Sequence, residues 1–334
     1  MVDALSRAGL SPDAACSASE EAVIRRALAA DDNGGFERCW RESGVTAGNR
    51  QAGKKLLAGP NLALAQAQFD TFTWLIKALE AADIRRAKQL GLHAGFISAQ
   101  DASGLDSDLR VIQSLYDLGL RMLGLTYNTQ NLVGSGCTDE SDGGLSTFGR
   151  KVVARMNELG MIIDTAHSGC RTTLDACRLS SQPVVASHSS AAALYPVARA
   201  KSDDEIRAIA ETGGVVGVYA LPCFLTADVD PTIESFFDHI DYLTALVGWE
   251  HVGLGTDWPM QLDEWTIREC LLPMGYGAGF TAADKLGTGN LDGFDDYRDF
   301  PNITRGLVAR GYRDQQIRGI LGENFLRVFE TACG

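Results

Sequence analysis

Histidine is scarce in this chain, with 5 among 334 residues. Imidazole chemistry therefore has few places to reside. Long apolar runs are also missing, and none approaches the roughly 20 residues needed to cross a bilayer. No Cys-x-x-Cys pair occurs among the eight cysteines, at 16, 39, 137, 170, 177, 223, 270 and 333, which excludes zinc ribbons and thioredoxin-type redox sites. Reduced thiols in a cytoplasmic protein are expected. The start, Met1-Val-Asp-Ala-Leu-Ser-Arg7, lacks the charged and apolar regions of a signal peptide, which points the same way. Positive charge is in deficit: 30 Lys and Arg face 43 Asp and Glu, a net charge of -13. Phosphate backbones would be repelled, so nucleic acid is not an expected partner.

What is present is a set of short β-branched runs ending on polar residues. Met161-Ile-Ile-Asp-Thr-Ala-His167 and Pro183-Val-Val-Ala-Ser-His188 end on histidine, and Val252-Gly-Leu-Gly-Thr-Asp257 ends on aspartate. Such runs read as strands buried on both faces of a parallel sheet. In a closed α/β barrel, the residues at the C-terminal strand ends face the active site. Candidate strands lie at 2–5, 44–49, 93–99, 120–126, 160–165, 183–187, 215–219 and 252–256. About eight strands alternating with helices predict an α/β fold, a (β/α)8 TIM barrel. At 45% hydrophobic residues, one barrel domain over 1–334 is expected.

Helix signals fill the gaps. Ser107–Leu118 carries apolar residues at a helical spacing. Residues 146–160 begin on Ser and stop on Gly. Ser202-Asp-Asp-Glu205 reads as a capping box. Further helices are expected over Thr232–Val247 and over Arg313–Thr331, the latter on the barrel exterior. Segment 258–300, rich in Trp, Gly and Asp, follows the eighth strand and is expected as a rim insertion, serving as a lid or as a structural loop.

His167 and His188, at adjacent strand ends, could share one metal ion. Asp257 suits a general acid/base or a metal ligand. Arg199 could fork onto a substrate carboxylate. Tyr127 could donate to a developing oxyanion. His93, His239 and His251 read as structural.

Several motifs resemble the renal (membrane) dipeptidase family of metallopeptidases. They are Leu125-Thr-Tyr-Asn-Thr-Gln-Asn131, Gly144-Leu-Ser-Thr-Phe-Gly149, Met161-Ile-Ile-Asp-Thr-Ala-His167, Ser187-His-Ser-Ser190, Gly213-Gly-Val-Val-Gly217, Asp238-His-Ile-Asp241, His251-Val-Gly-Leu-Gly-Thr-Asp257 and Ile320-Leu-Gly-Glu-Asn-Phe-Leu-Arg-Val-Phe329. The likeness runs from about residue 107 to the C-terminus. It implies an amidohydrolase-like barrel with two bridged zinc ions that hydrolyses dipeptides, in some members β-lactams or substrates with a C-terminal D-residue. It places His167 and His188 on the ligands of the second metal. It places Arg199 on the arginine that binds the substrate carboxylate, and Asp257 on the proton-transfer aspartate. Family members are commonly dimers.

The departures fall where the chemistry is most demanding. The His-x-Asp pair of the first strand becomes Leu5 and Arg7, the bridging glutamate becomes Gln100, and a histidine near the oxyanion becomes Tyr127. Neutral or positive groups replace the carboxylates that would offset about four positive charges, so at most one zinc ion is expected. Gln100, Arg7, Arg199 and Asn131 then become candidate contacts to a substrate carrying a carboxylate. Three readings follow: a dipeptidase-like hydrolase of a dipeptide or small amide with at most one zinc; a metal-free lyase, isomerase or decarboxylase acting on a small carboxylate; and a non-catalytic binding protein on the same barrel.

Overall fold

The computed structural model describes residues 47–52, 66, 69–257, 291–295 and 297–334, the first of these as backbone alone. The expected strand at 2–5, with Leu5 and Arg7, lies outside these residues, as do 258–290 of the rim segment. Eight strands are all paired in parallel: β1 (Ala47–Ala52), β2 (Leu75–Lys77), β3 (His93–Ala99), β4 (Leu120–Gly124), β5 (Ile162–Asp164), β6 (Val184–Ser189), β7 (Val216–Val218) and β8 (Val252–Leu254). From β3 to β8 each strand pairs with the next in the chain, and β1 and β2 both pair with β3. Strands β3 to β8 lie where the apolar runs predicted them. β1 overlaps the second expected strand, 44–49, at 47–49, and 44–46 lie outside the described residues. β2, three residues beside Trp74, is too short to give a periodic signal.

Among the described residues, seven helices cover the strands in turn: α1 (Ala81–Gln89), α2 (Arg110–Asp117), α3 (Thr147–Leu159), α4 (Cys170–Leu179), α5 (Asp203–Glu211), α6 (Ile233–Val247) and α7 (Phe300–Ala309). Their ends follow local chemistry. The Ser146 hydroxyl accepts from Gly149 N to start α3, and Gly160 stops it at φ 72°, a conformation that costs glycine little. Ser202 and Glu205 close a reciprocal capping box on α5.

Alternation along the strands creates two faces. Ile97, Leu123, Ile163 and Val184 pack with helical residues such as Ile112, Val152, Met156 and Ile206. The residues one step before or after them, Phe96, Met122, Ile162 and Val185, pack instead with Val328, Phe329 and Ala332 of the last helix, α9 (Asn324–Cys333). The ring centroid of Phe329 lies 5.0 Å from that of Phe96, and a fully buried side chain of this kind stabilises by about 1.5–3 kcal/mol. The C-terminal helix therefore does not join the outer layer, as the sequence suggested; its apolar stripe closes the opposite face. Nor is it continuous, because α8 (Asp314–Arg318) and α9 are separated by a π-turn over Gly319–Glu323. Asn324 there donates to the carbonyls of Trp249 and Val252, tying the turn to the start of β8.

Candidate active site

The inner face of β5 and β6 turns polar at their C-terminal ends. Period two places Asp164 on the face of Ile162, and Ser187 on the face of Val185. Asp164 Oδ1 accepts from the backbone of Ala166 and Ser187, and Oδ2 accepts from Ser187 Oγ at 2.6 Å. Ser187 Oγ in turn lies 2.7 Å from His188 Nδ1. On the neighbouring strand end, His167 Nδ1 lies 2.7 Å from Asn128 Oδ1. The two imidazoles face each other with Nε2 atoms 2.9 Å apart.

Other candidates surround this pair. Asp257 places Oδ2 3.9 Å from His188 Nε2, on a backbone held at φ 50°, a left-handed conformation that aspartate tolerates better than most residues. Tyr127 stacks on His167, with ring centroids 4.1 Å apart and planes tilted by 24°. Arg199 is 2% exposed. Its guanidinium reaches Tyr219 Oη at 3.2 Å, His188 O at 3.4 Å and Asn128 Oδ1 at 3.5 Å, and it also contacts His167 Nδ1. A guanidinium only donates, so Asn128 Oδ1 and His167 Nδ1 both face Arg199 as acceptors.

Burial sets the charge states. It holds His188 well below the ordinary imidazole value, and Arg199 and Lys201 push in the same direction. It raises Asp257 to about 6, with Asp164 adding to the shift and Arg199 opposing it. It raises Asp164 and Tyr127 as well. The site is therefore buried, with a neutral His188 imidazole beside the Arg199 guanidinium.

Not every candidate joins it. The Asn131 side chain is engaged in loop structure: it donates to Asp101 Oδ1 and Leu125 O, both at 2.9 Å, and accepts from Val133 N. Gln100 follows the end of β3 and is half-buried. His239 bridges Ala191 N and Leu225 O, and His251 bonds Gly214 O, so both serve structure; His93 packs edge-on against Trp74. Asn128, Asp164, Ser187, Tyr219 and Lys201 are the neighbours that strand-end reasoning left out. Asp164 and Ser187 carried a signal, since each is a polar residue within an otherwise apolar strand.

Metal fit follows from these donors. A metal-bound imidazole usually gives its other N–H to an oxygen acceptor, and both histidines have one beside Nδ1. Their Nε2 atoms are close enough for a single ion, with Zn–N bonds of about 2.0–2.1 Å, to touch both. Among the described residues, no group of three or more His, Cys, Asp and Glu side chains is arranged to hold a metal ion. Among the described residues this leaves two imidazoles as candidate ligands, fewer than the three protein ligands a catalytic zinc site takes, with the Arg199 guanidinium against one of them.

A parallel α/β sheet with histidines, an aspartate and a buried arginine at its strand ends defines a hydrolase of the amidohydrolase-like barrel type. The sequence model of the membrane dipeptidase family, peptidase family M19, matches residues 61–266 and 277–333. An uncharacterized protein in the pqqA 5' region of Klebsiella pneumoniae is 32% identical over 263 residues, 76% of this chain and 87% of that protein. An amidohydrolase from Pseudomonas aeruginosa superposes with a TM-score of 0.81 at 31% identity, covering 89% of this chain and 92% of the other. Dipeptidase AC, a metallopeptidase of family M19, superposes with a TM-score of 0.75 at 24% identity, covering 89% and 88%. The chain belongs to the membrane dipeptidase family and is a hydrolase of that type. No helix among the described residues is long and apolar enough to cross a membrane.

Proposed function

We propose that this chain hydrolyses the amide bond of a dipeptide, or of a related small amide with a free carboxylate, using at most one zinc ion on His167 and His188. The observation that carries this reading is the 2.9 Å approach of the two Nε2 atoms beside the buried Arg199. Zinc bound there supplies Lewis-acid polarisation of the scissile carbonyl and acidifies water. The chain's own residues do the rest. Arg199 binds the substrate carboxylate as a two-pronged donor. Asp257, raised to about 6, takes a proton from the attacking water and delivers it to the leaving amine. Tyr127 offers its hydroxyl to the developing oxyanion. Gln100 contributes a neutral contact where the family has a carboxylate, and Arg7 remains a proposed anion contact outside the described residues. The net charge of -13 supports a small-molecule substrate over nucleic acid, and we further propose a cytoplasmic, single-domain enzyme away from the membrane, with the homodimer that the family resemblance implies.

A second reading has one observation in its favour. The guanidinium of Arg199 packed against His167 disfavours a second cation nearby and suits metal-free acid/base chemistry on a small carboxylate.

Elemental analysis of the purified protein, with and without added zinc, separates the two. About one zinc per chain, lost in His188→Ala together with dipeptide hydrolysis, is the expected result. Absence of zinc under both conditions, or hydrolysis that survives chelators, removes the metal from the proposal.

A further inference from the structure

Tyr219 directly follows β7 and is fully buried. A phenol in such a place needs partners for its hydroxyl. Both of its hydrogen bonds go to one residue. Tyr219 Oη donates to the carbonyl of Arg199 at 3.1 Å and accepts from Arg199 Nε at 3.2 Å. A phenol has one proton to give, so the direction is fixed: the main chain receives the proton and the guanidinium meets a lone pair. Burial raises Tyr219 above the ordinary phenol value, although Arg199 pulls the other way, so the proton stays in place at neutral pH.

Tyr219 Oη thus closes a ring through both ends of a single arginine. Other contacts complete this clamp. Ser189 Oγ donates to the same carbonyl at 3.0 Å. Tyr219 N donates to Ser189 O at 3.1 Å, which ties the end of β6 to the end of β7. The guanidinium carbon stands 5.5 Å from the centroid of the Tyr219 ring and 5.9 Å from that of Phe224, within reach of cation–π attraction. The Nε edge of the arginine is therefore engaged by the protein. Its Nη atoms meet Asn128 Oδ1 at 3.5 Å, His188 O at 3.4 Å and His167 Nδ1. None of these acceptors carries a negative charge, so the charge of the guanidinium is left for a ligand to neutralise.

We propose that Tyr219 is a positioning residue for carboxylate binding: its hydroxyl locks the Arg199 guanidinium in one rotamer and reserves the Nη edge for a ligand carboxylate, which must then approach end-on rather than across Nε. The inference rests on the reading of Arg199 as the donor to a substrate carboxylate, and it needs no metal ion. An arginine side chain has much rotamer freedom to lose, and a clamp set in advance removes that loss from the binding step. Packing alone does not account for the hydroxyl, because a phenylalanine would supply the same ring.

Tyr219→Phe is the informative variant, because it keeps the ring and opens the clamp. The probes are propionate and 2-butanone, an uncharged molecule of the same shape; neither has a bond to hydrolyse. NMR titration of the full-length chain should show propionate weakened by roughly 3- to 10-fold in Tyr219→Phe, the range of a typical intramolecular hydrogen bond, with 2-butanone unchanged. Side-chain 15N–1H spectra should show the Arg199 Nε proton protected from exchange with water in the parent and exchanging faster in Tyr219→Phe. Ser189→Ala releases the carbonyl but leaves Nε bonded, so it should keep that proton protected. Equal propionate affinities in parent and Tyr219→Phe, equal weakening of both probes, or Nε protons that exchange alike would overturn the proposal. If Tyr219→Phe does not fold, Ser189→Ala carries the test: protection in both parent and variant supports the clamp, and an unprotected Nε proton in either overturns it. A parent that binds no propionate defeats the reading of Arg199 as a carboxylate donor, whereas the exchange contrast tests the clamp independently of that reading.

Discussion

Lys201 Nζ lies 3.0 Å from Glu205 Oε1, with both side chains buried. The same ammonium donates to Ser168 O at 2.8 Å and to Thr173 Oγ1 at 3.0 Å. Ser168 is the residue after His167, and a parallel bridge between Ala191 and Lys201 closes the loop that carries Arg199. This buried pair therefore fastens the two loops that present His167 and the Arg199 guanidinium. Lys201→Met should leave Glu205 without its counter-charge and cost about 3–5 kcal/mol of stability. A urea midpoint indistinguishable from the parent would show that the pair contributes nothing.

The same pair gives stability a pH dependence. Burial alone would raise Glu205, but Lys201 and Ser202 outweigh it and hold the carboxyl below its ordinary 4.5. A depressed carboxylate stabilises the fold above its unfolded value and loses that contribution as pH falls through the folded one. Stability from this group should be complete at neutral pH and decline below about 4.5. Urea midpoints at stepwise lower pH should therefore converge for the parent and Lys201→Met. A gap that widens in acid would contradict the assignment.

Arg199→Lys keeps the charge but loses the planar fork. Hydrogen bonds to charged groups contribute about 1.5–3 kcal/mol, equivalent to roughly 10- to 100-fold. KM for a substrate with a free carboxylate should rise by that factor, with kcat changed less. A C-terminally amidated analogue should show the same KM with either enzyme. An equal rise for both substrates would argue that Arg199 supports structure rather than binding a carboxylate.

Gly255 permits the closest approach in the site. A Cβ there would stand 1.9 Å from Ser187 O and 2.9 Å from His188 Cα, both backbone atoms with little freedom to move. Gly255→Ala should destabilise by about 1–3 kcal/mol through overpacking and weaken zinc binding. Thermal denaturation and zinc titration measure the two effects, and an unchanged melting temperature would show that the strands spread at little cost.

Much of the site was legible because strand ends are marked locally. His167, His188 and Asp257 each follow an apolar run, and Ser146 and the Ser202/Glu205 box mark helix starts by their own side-chain chemistry. The partners were harder to read. Asn128 meets His167 across 39 residues, and Ser187 meets Asp164 across 23, separations at which no periodicity links one residue to another. β2 escaped because three residues carry no alternation. The C-terminal helix was placed on the wrong face because an apolar stripe says that a helix is covered, not by what.

The amino-acid sequence by itself determined the α/β class, the faces of strands β3 to β8, the helix caps and the family to which the chain belongs. These follow from local alternation and side-chain chemistry, which need no knowledge of distant neighbours. Only the tertiary structure decided that the two Nε2 atoms face each other at 2.9 Å, that Asp164 reaches His188 through Ser187, and that Arg199 is buried beside them. Those facts depend on strand register and sheet twist, which arise from packing summed over the whole barrel and can move a side chain by a full hydrogen-bond length without altering the pattern along the chain.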